Sequence, residues 1–141
     1  MEVVGVLVRR NADINASLKR GPATYTVLTI SAMYGFKDLV DFLIDKGASI
    51  SKDTLEPTLN SAVQTGHTRL YEHVRAQGLD VALLKDKNPA LVYTAAAGGS
   101  IEIMRSLREH GFNVHQKDKD GWTPLHVAAV EGKIGMIDHL L

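Results

Sequence analysis

The side chains in this chain best suited to acid–base or metal chemistry are six histidines: His67, His73, His110, His115, His126 and His139. A catalytic zinc site of the H-E-x-x-H kind needs two histidines one helical turn apart with a glutamate beside the first. No pair here has that arrangement. There is no cysteine, which excludes thiolate metal sites, a nucleophilic thiol and disulfides, and leans the compartment toward a reducing one. Gly98-Gly99 lacks the G-x-x-x-x-G-K-[ST] spacing that cradles phosphate. Met104 and Met136 fit gap-filling packing better than a cofactor box. His110 falls in the last turn of an expected helix, where positive charge is favoured. No catalytic residue, metal ligand or cofactor is therefore assigned, and the chain reads as a non-enzyme.

Charge gives the same answer. The 16 basic and 16 acidic residues cancel. Residues 1–70 hold 8 basic and 7 acidic residues, and 71–141 hold 8 and 9. So even a balance argues against a nucleic-acid surface or a polybasic membrane surface, and makes Arg9-Arg10 and Lys19-Arg20 solvated pairs. No apolar run approaches the ~20 residues of a membrane span. The basic pair near the N-terminus follows the apolar run Val3–Val8 instead of preceding it, a poor secretory signal. Hydrophobic residues make up 45% of the chain, enough for a core. A cytoplasmic location is expected.

The elements that would carry these residues are clearest in Asp118–Leu141. Asp120-Gly121 marks a tight turn. Thr123-Pro124 marks a helix start, with a hydroxyl to cap free N–H groups and a proline where no N–H is needed. Leu125, Ala128 and Ala129 share one helical face, and Gly132 ends the helix. Ile134, Ile137, Leu140 and Leu141 build the face of a second helix. The mid-unit glycine recurs at Gly35, Gly66, Gly99 and Gly132, spaced 31, 33 and 33 residues apart. A second series, Gly47, Gly78 and Gly111, follows the first at 12 residues each time, and Asn11 stands where an earlier member would be.

Thr123-Pro124-Leu125-His126 with Ala128-Ala129 and Gly132 resembles the ankyrin repeat, whose unit of about 33 residues carries T-P-L-H-x-A. Thr26–Thr29, Pro57–Asn60 and Ala90–Tyr93 take the T-P-L-H place in the other units, with Asn88-Pro89 offering its own cap. The implied fold is all-α, a solenoid of stacked helix-turn-helix units with short β-hairpin or turn connections. The expected units are a partial repeat at 1–16, repeats at 17–49, 50–80 (divergent) and 81–114, and a truncated repeat at 115–141. Small pairs at the inner helices (Ser31-Ala32, Ala62-Val63, Ala95-Ala96, Ala128-Ala129) allow close approach. Larger residues outside would bend the stack and leave a concave face. Both ends lack a polar cap, so a fragment of a longer array is expected. The connection Ala16–Thr24 is long and turns at Gly21-Pro22. The second hairpin, Lys52–Glu56, is two residues short, with Leu55 in its glycine place.

The resemblance implies a protein–protein interaction module that binds through hairpin tips and the late inner helix. Carried onto this sequence, the partner-binding residues are Tyr25, Met33, Tyr34, Glu56, Gln64, Lys87, Pro89, Lys119, Asp120, Trp122, Val130 and Glu131. Asp53, Thr54, Thr65 and Asp86 lie beside them, and Ala97-Gly98 is expected as a notch. Trp122 is the sole tryptophan, and aromatics are over-represented at interface hot spots. The family histidine, here His126, is expected to bond Thr123. His73 and His139, each seven residues after a mid-unit glycine, sit beside apolar faces. Asn15 resembles the turn asparagine that asparaginyl hydroxylases accept. The chain is expected as a monomer or part of a longer array, with targeting of a larger enzyme as the alternative to a scaffold.

Overall fold

The computed structural model describes residues 13–141; Val3, Val4, Leu7, Val8, Arg9-Arg10 and Asn11 lie outside them. The described chain is mostly helical. It falls into two compact units, the first ending at Ser61 and the second beginning at Ala62.

In the first unit, β1 (Ser17–Arg20) and β2 (Ala23–Thr26) form an antiparallel hairpin, with Leu18 opposite Tyr25 and Arg20 opposite Ala23. Gly21 takes φ +62° at the first turn position, and the ring of Pro22 fixes φ negative at the second. That combination is the type II′ turn, which matches strand twist. The helix α1 (Val27–Met33) starts at Thr26, whose hydroxyl accepts the Thr29 N–H and donates to the Ser49 carbonyl at 3.1 Å. The helix α2 (Lys37–Asp45) returns against it. Leu28, Ala32, Val40 and Leu43 are buried between them.

The connection after α2 differs from the expected short hairpin. Lys52–Thr54 is a 3-10 turn that runs directly into α3 (Leu55–Thr65). The missing two residues are accommodated by starting the helix early, so Leu55 is the first helical residue and is buried. Thr54 is buried as well, not at a tip. Its hydroxyl lies 2.7 Å from that of Ser51 and 3.4 Å from that of Thr29. The junction between the units falls within α3.

The second unit continues through α4 (Thr68–Ala76), a 3-10 turn Val81–Leu83 with α5 (Leu84–Lys87), α6 (Leu91–Gly98), α7 (Ile101–Glu109), α8 (Pro124–Val130) and α9 (Ile134–Leu140). Inner helices α6 and α8 pack together, as do outer helices α4 with α7 and α7 with α9. Among the outer helices the core is Leu70, Tyr71, Val74, Ile103, Met104, Leu107 and Met136, all at most 1% exposed. Tyr71 brings a hydroxyl into this core. Its hydroxyl meets Ser106 Oγ at 2.8 Å, and burial pushes its pKa up against the opposing pull of that bond. The cap expected of Asn88-Pro89 does not form: α6 starts at Leu91 with Ala90 at the N-cap and no side-chain cap bond, and the Asn88 main-chain carbonyl accepts the Leu91 N–H at 3.1 Å as a turn.

All seven glycines of the two series take positive φ, which allows the chain to reverse after each helix. Gly98 matters for a different reason. A Cβ there would overlap the Val63 carbonyl oxygen, and one at Gly66 would overlap the Gly98 carbonyl. The ends of α3 and α6 therefore meet backbone to backbone. The notch expected at Ala97-Gly98 is filled on that side by Val63. Ala128 is buried, while Ala129 is exposed.

Candidate functional site

Each unit presents loop and inner-helix residues in its own way. In the second unit the centre is the loop before α8. The Asp118 carboxylate accepts the Asp120 and Trp122 N–H groups at 2.8 and 2.9 Å. The Asp118 N–H donates to the Trp122 carbonyl at 2.9 Å, closing the loop on itself. This is the Asx-turn chemistry that favours aspartate before Gly121.

The preceding helix pair supplies a second clamp. Tyr93, in the T-P-L-H histidine place of its own unit, sets its hydroxyl 3.1 Å from the Trp122 carbonyl and 3.2 Å from that of Gln116, with one proton to share. Gln116 Nε2 donates to the Pro89 carbonyl at 3.1 Å. The Thr29 hydroxyl, in the corresponding place, reaches Thr54 in its following loop. That histidine place is thus used to fasten the next loop, by residues that share no chemistry except a hydroxyl.

The fastened loop holds Trp122 with 43% of its surface exposed, its ring 5.5 Å from that of His126 and tilted 58°. His126 is positioned by the capping box. The Thr123 N–H donates to His126 Nδ1 at 3.1 Å, and the Thr123 hydroxyl lies 2.8 Å from the same atom. The His126 N–H returns to Thr123 Oγ1 at 3.4 Å. An Nδ1 that accepts from a backbone N–H is unprotonated, so this ring carries its proton on Nε2. Its role is to fix the loop-to-helix junction. Leu125 is half-buried and Pro124 buried behind it.

In this unit Lys119 and Asp120 of the loop are exposed, as are Val130 and Glu131 at the end of α8, and Lys87, Pro89 and Gln64. The charges are of mixed sign. Among the described residues no group of three or more His, Asp or Glu side chains is placed to hold a metal ion.

In the first unit Tyr25, Met33 and Tyr34 converge. Together with Leu18, Arg20 and Ile30 they line a hollow of about 240 Å³ between the hairpin and α1. Met33 is 51% and Tyr34 72% exposed. Tyr34 stacks on Phe36, centroids 6.1 Å apart and planes within 12°. Sequence reasoning missed Leu18, Ile30, Arg20 and Phe36. Leu18 could have been found from its place opposite Tyr25 and its alternation with Arg20 along one strand face. Glu56 is half-buried in the first turn of α3 rather than at a tip. Asp53 stays exposed, yet it is tied back to the hairpin. Its carboxylate accepts the Thr24 N–H at 2.9 Å, and the Ser51 hydroxyl first, opposed by desolvation and helped to a lesser degree by that N–H, holds it below the usual carboxylate value. Asn15 uses its side-chain carbonyl to accept the Ser49 N–H at 2.7 Å.

Comparison with known proteins decides the family. The profile for ankyrin repeats in three copies matches residues 59–141. The chain belongs to the ankyrin-repeat family. Its similarity to a palmitoyltransferase, AKR1, of Lachancea kluyveri is 28% identity over 148 residues, taking in 100% of this chain and 20% of the relative. A putative ankyrin repeat protein of fowlpox virus, FPV223, is 25% identical over 148 residues, covering 97% of this chain and 96% of that one. Protein phosphatase 1 regulatory subunit 12A of Mus musculus is 48% identical over 54 residues, 38% of this chain and 5% of its own length. The chain thus spans a fifth of the palmitoyltransferase and nearly all of the viral protein. Ankyrin repeats bind other proteins. No helix among the described residues is long and apolar enough to cross a membrane.

Proposed function

We propose that this chain is a non-catalytic binding module that takes a partner protein on its loop and inner-helix residues, with Trp122 and the Tyr25–Met33–Tyr34 group as anchors. The observation that carries the proposal is the state of Trp122. Its backbone is held at both ends, by Asp118 and by Tyr93, while the ring stays substantially exposed. Holding a large aromatic in place before binding lowers the ordering cost of association. An amphipathic ring is the commonest kind of hot-spot residue. The mixed charges of Lys87, Lys119, Asp120 and Glu131 would form a polar rim rather than a single-sign field. Such a module works by preformed shape and has no use for a cofactor. A cytoplasmic setting agrees with the absence of cysteine.

A second reading has a specific observation behind it. The whole chain aligns with one fifth of a palmitoyltransferase. On that reading these repeats recruit a substrate for a larger enzyme whose chemistry lies elsewhere. Both readings predict the same binding residues, and the complete reading frame separates them.

The test is partner capture from cell extract by wild type and by a Trp122→Ala, Tyr25→Ala double variant, with bound proteins identified by mass spectrometry. Loss of one saturable partner from the folded variant supports the module. Unchanged capture would sink it.

A further inference from the structure

The hairpin of the first unit has two unlike edges. Its turn places Arg20 opposite Ala23, so pairs that exchange hydrogen bonds are Arg20 with Ala23 and Leu18 with Tyr25. Thr24 must then point its N–H and C=O away from β1, and it does. Its N–H donates to Asp53, and its carbonyl accepts the Ser51 hydroxyl at 2.6 Å. The β2 edge is closed. By the same alternation Lys19, opposite Thr24, points its N–H and C=O away from β2. Among the described residues no strand pairs with that edge. All four residues of β1 are exposed.

Leu18 and Arg20 share one face of β1 and line the hollow with Tyr25, Ile30, Met33 and Tyr34. A strand added to β1 would set alternate side chains in line with that hollow. Charge selects which strand. Between Ala16 and Phe36 the only charged residues are Lys19 and Arg20, and neither pairs with an acidic side chain among the described residues. A second copy of β1 would bring like charges together across the edge, which is unfavourable. Edge lysines discourage unselective pairing for this reason.

We propose that the open edge of β1 and the hollow beside it take an extended segment of a partner protein in which apolar and acidic side chains alternate. Main-chain bonds to Lys19 would hold it, an apolar side chain would enter between Leu18 and Met33, and the alternate carboxylates would lie on the opposite face of β1, beside the Lys19 side chain. This is strand addition with side-chain pockets setting specificity. The proposal rests on the binding-module reading above.

The probe is a labelled, end-capped hexapeptide of alternating valine and glutamate, followed by fluorescence anisotropy against the full chain. It is expected to bind saturably, and its lysine-for-glutamate counterpart at least about tenfold more weakly. Lys19→Pro removes the outward N–H and the charge; Lys19→Gln removes only the charge. The proline variant is expected to bind about fivefold to tenfold more weakly than the glutamine one, as one lost hydrogen bond implies. Should Lys19→Pro lose its circular dichroism signal, a peptide N-methylated at its central valine tests the same bond with the protein unaltered. No saturable binding, equal affinity for the lysine peptide, or indifference to both the proline and the N-methyl group would overturn the proposal. Self-association of the wild type that Lys19→Pro abolishes would overturn it in favour of a second copy. If the peptide fails while Trp122→Ala still loses its captured partner, this inference falls and the binding-module reading stands.

Discussion

Replacing Gly98 by alanine is the sharpest test of how successive repeats meet. Gly98 is the last residue of α6 and lies outside the left-handed region, so its backbone suits alanine. On helix propensity alone, Gly98→Ala would stabilise by up to about 1 kcal/mol. The structure predicts the opposite sign. The new methyl would overlap the Val63 carbonyl oxygen and lie 3.0 Å from Gly66 N and 3.2 Å from Gln64 O. Those atoms are backbone and cannot rotate aside, so the ends of α3 and α6 must separate toward the ordinary contact distance of about 3.5–4.0 Å. Forcing such a shift in a packed interior costs about 1–3 kcal/mol, and the directness of this overlap favours the upper end. Net of propensity, a loss of about 2 kcal/mol is expected, roughly 4–8 °C in Tm for a chain of this size. Gly132→Ala is the control. It has open space around it but φ +67°, so it pays only the left-handed penalty of about 1 kcal/mol. Urea and thermal unfolding followed by far-ultraviolet circular dichroism would measure both. A Gly98→Ala variant as stable as wild type, or more so, would refute the backbone contact.

Other consequences follow from buried or fastened polar groups. Tyr71→Phe removes the buried bond to Ser106 Oγ and should cost about 1–2 kcal/mol in urea unfolding, with Tyr71→Phe/Ser106→Ala recovering part of it. Tyr93→Phe releases the Trp122 carbonyl from one of its two donors. With a single tryptophan in the chain, this should appear as a loss of fluorescence anisotropy at Trp122, for about 0.5–1.5 kcal/mol of stability. His139 has its Nε2 buried with no hydrogen-bond partner. Burial, then Arg108 and Arg105, hold its pKa below the usual 6.5, with Asp138 opposing. The folded state therefore prefers the neutral ring. Its contribution is whole above pH 6.5 and is lost as pH falls through that value toward the lowered one. Substituting His139→Leu should flatten the fall of Tm between neutral and mildly acidic pH; an unchanged slope would remove His139 as its source.

The legible parts of this chain are those fixed by local backbone chemistry. Thr123-Pro124 and His126 form their capping box as the residue types require. Gly21-Pro22 makes the turn that its φ preferences allow. What stayed hidden depends on atoms brought together from different repeats. The 19-residue interval between Gly47 and Gly66 showed that something was shortened. It did not show whether a hairpin shrinks or a helix starts early, because Lys52–Leu55 is compatible with both. Gly98 looked like an empty notch because sequence cannot show that Val63 fills it. Tyr93 departed from the histidine motif, yet its hydroxyl reaches the next loop from the same position. Among the candidate contact residues, Trp122, Tyr34 and Met33 are exposed. Thr54 turned inward because three hydroxyls, from Ser51, Thr29 and itself, satisfy one another there.

The central claim is that partners meet the loop and inner-helix residues, with the outer helices left free. Hydrogen–deuterium exchange on the chain alone and with its captured partner tests it most directly. Protection is predicted in the segments Ser17–Tyr34 and Asp118–Glu131, with Lys37–Asp45, Thr68–Ala76 and Ile101–Glu109 unchanged. Protection confined to those three outer helices would contradict the account.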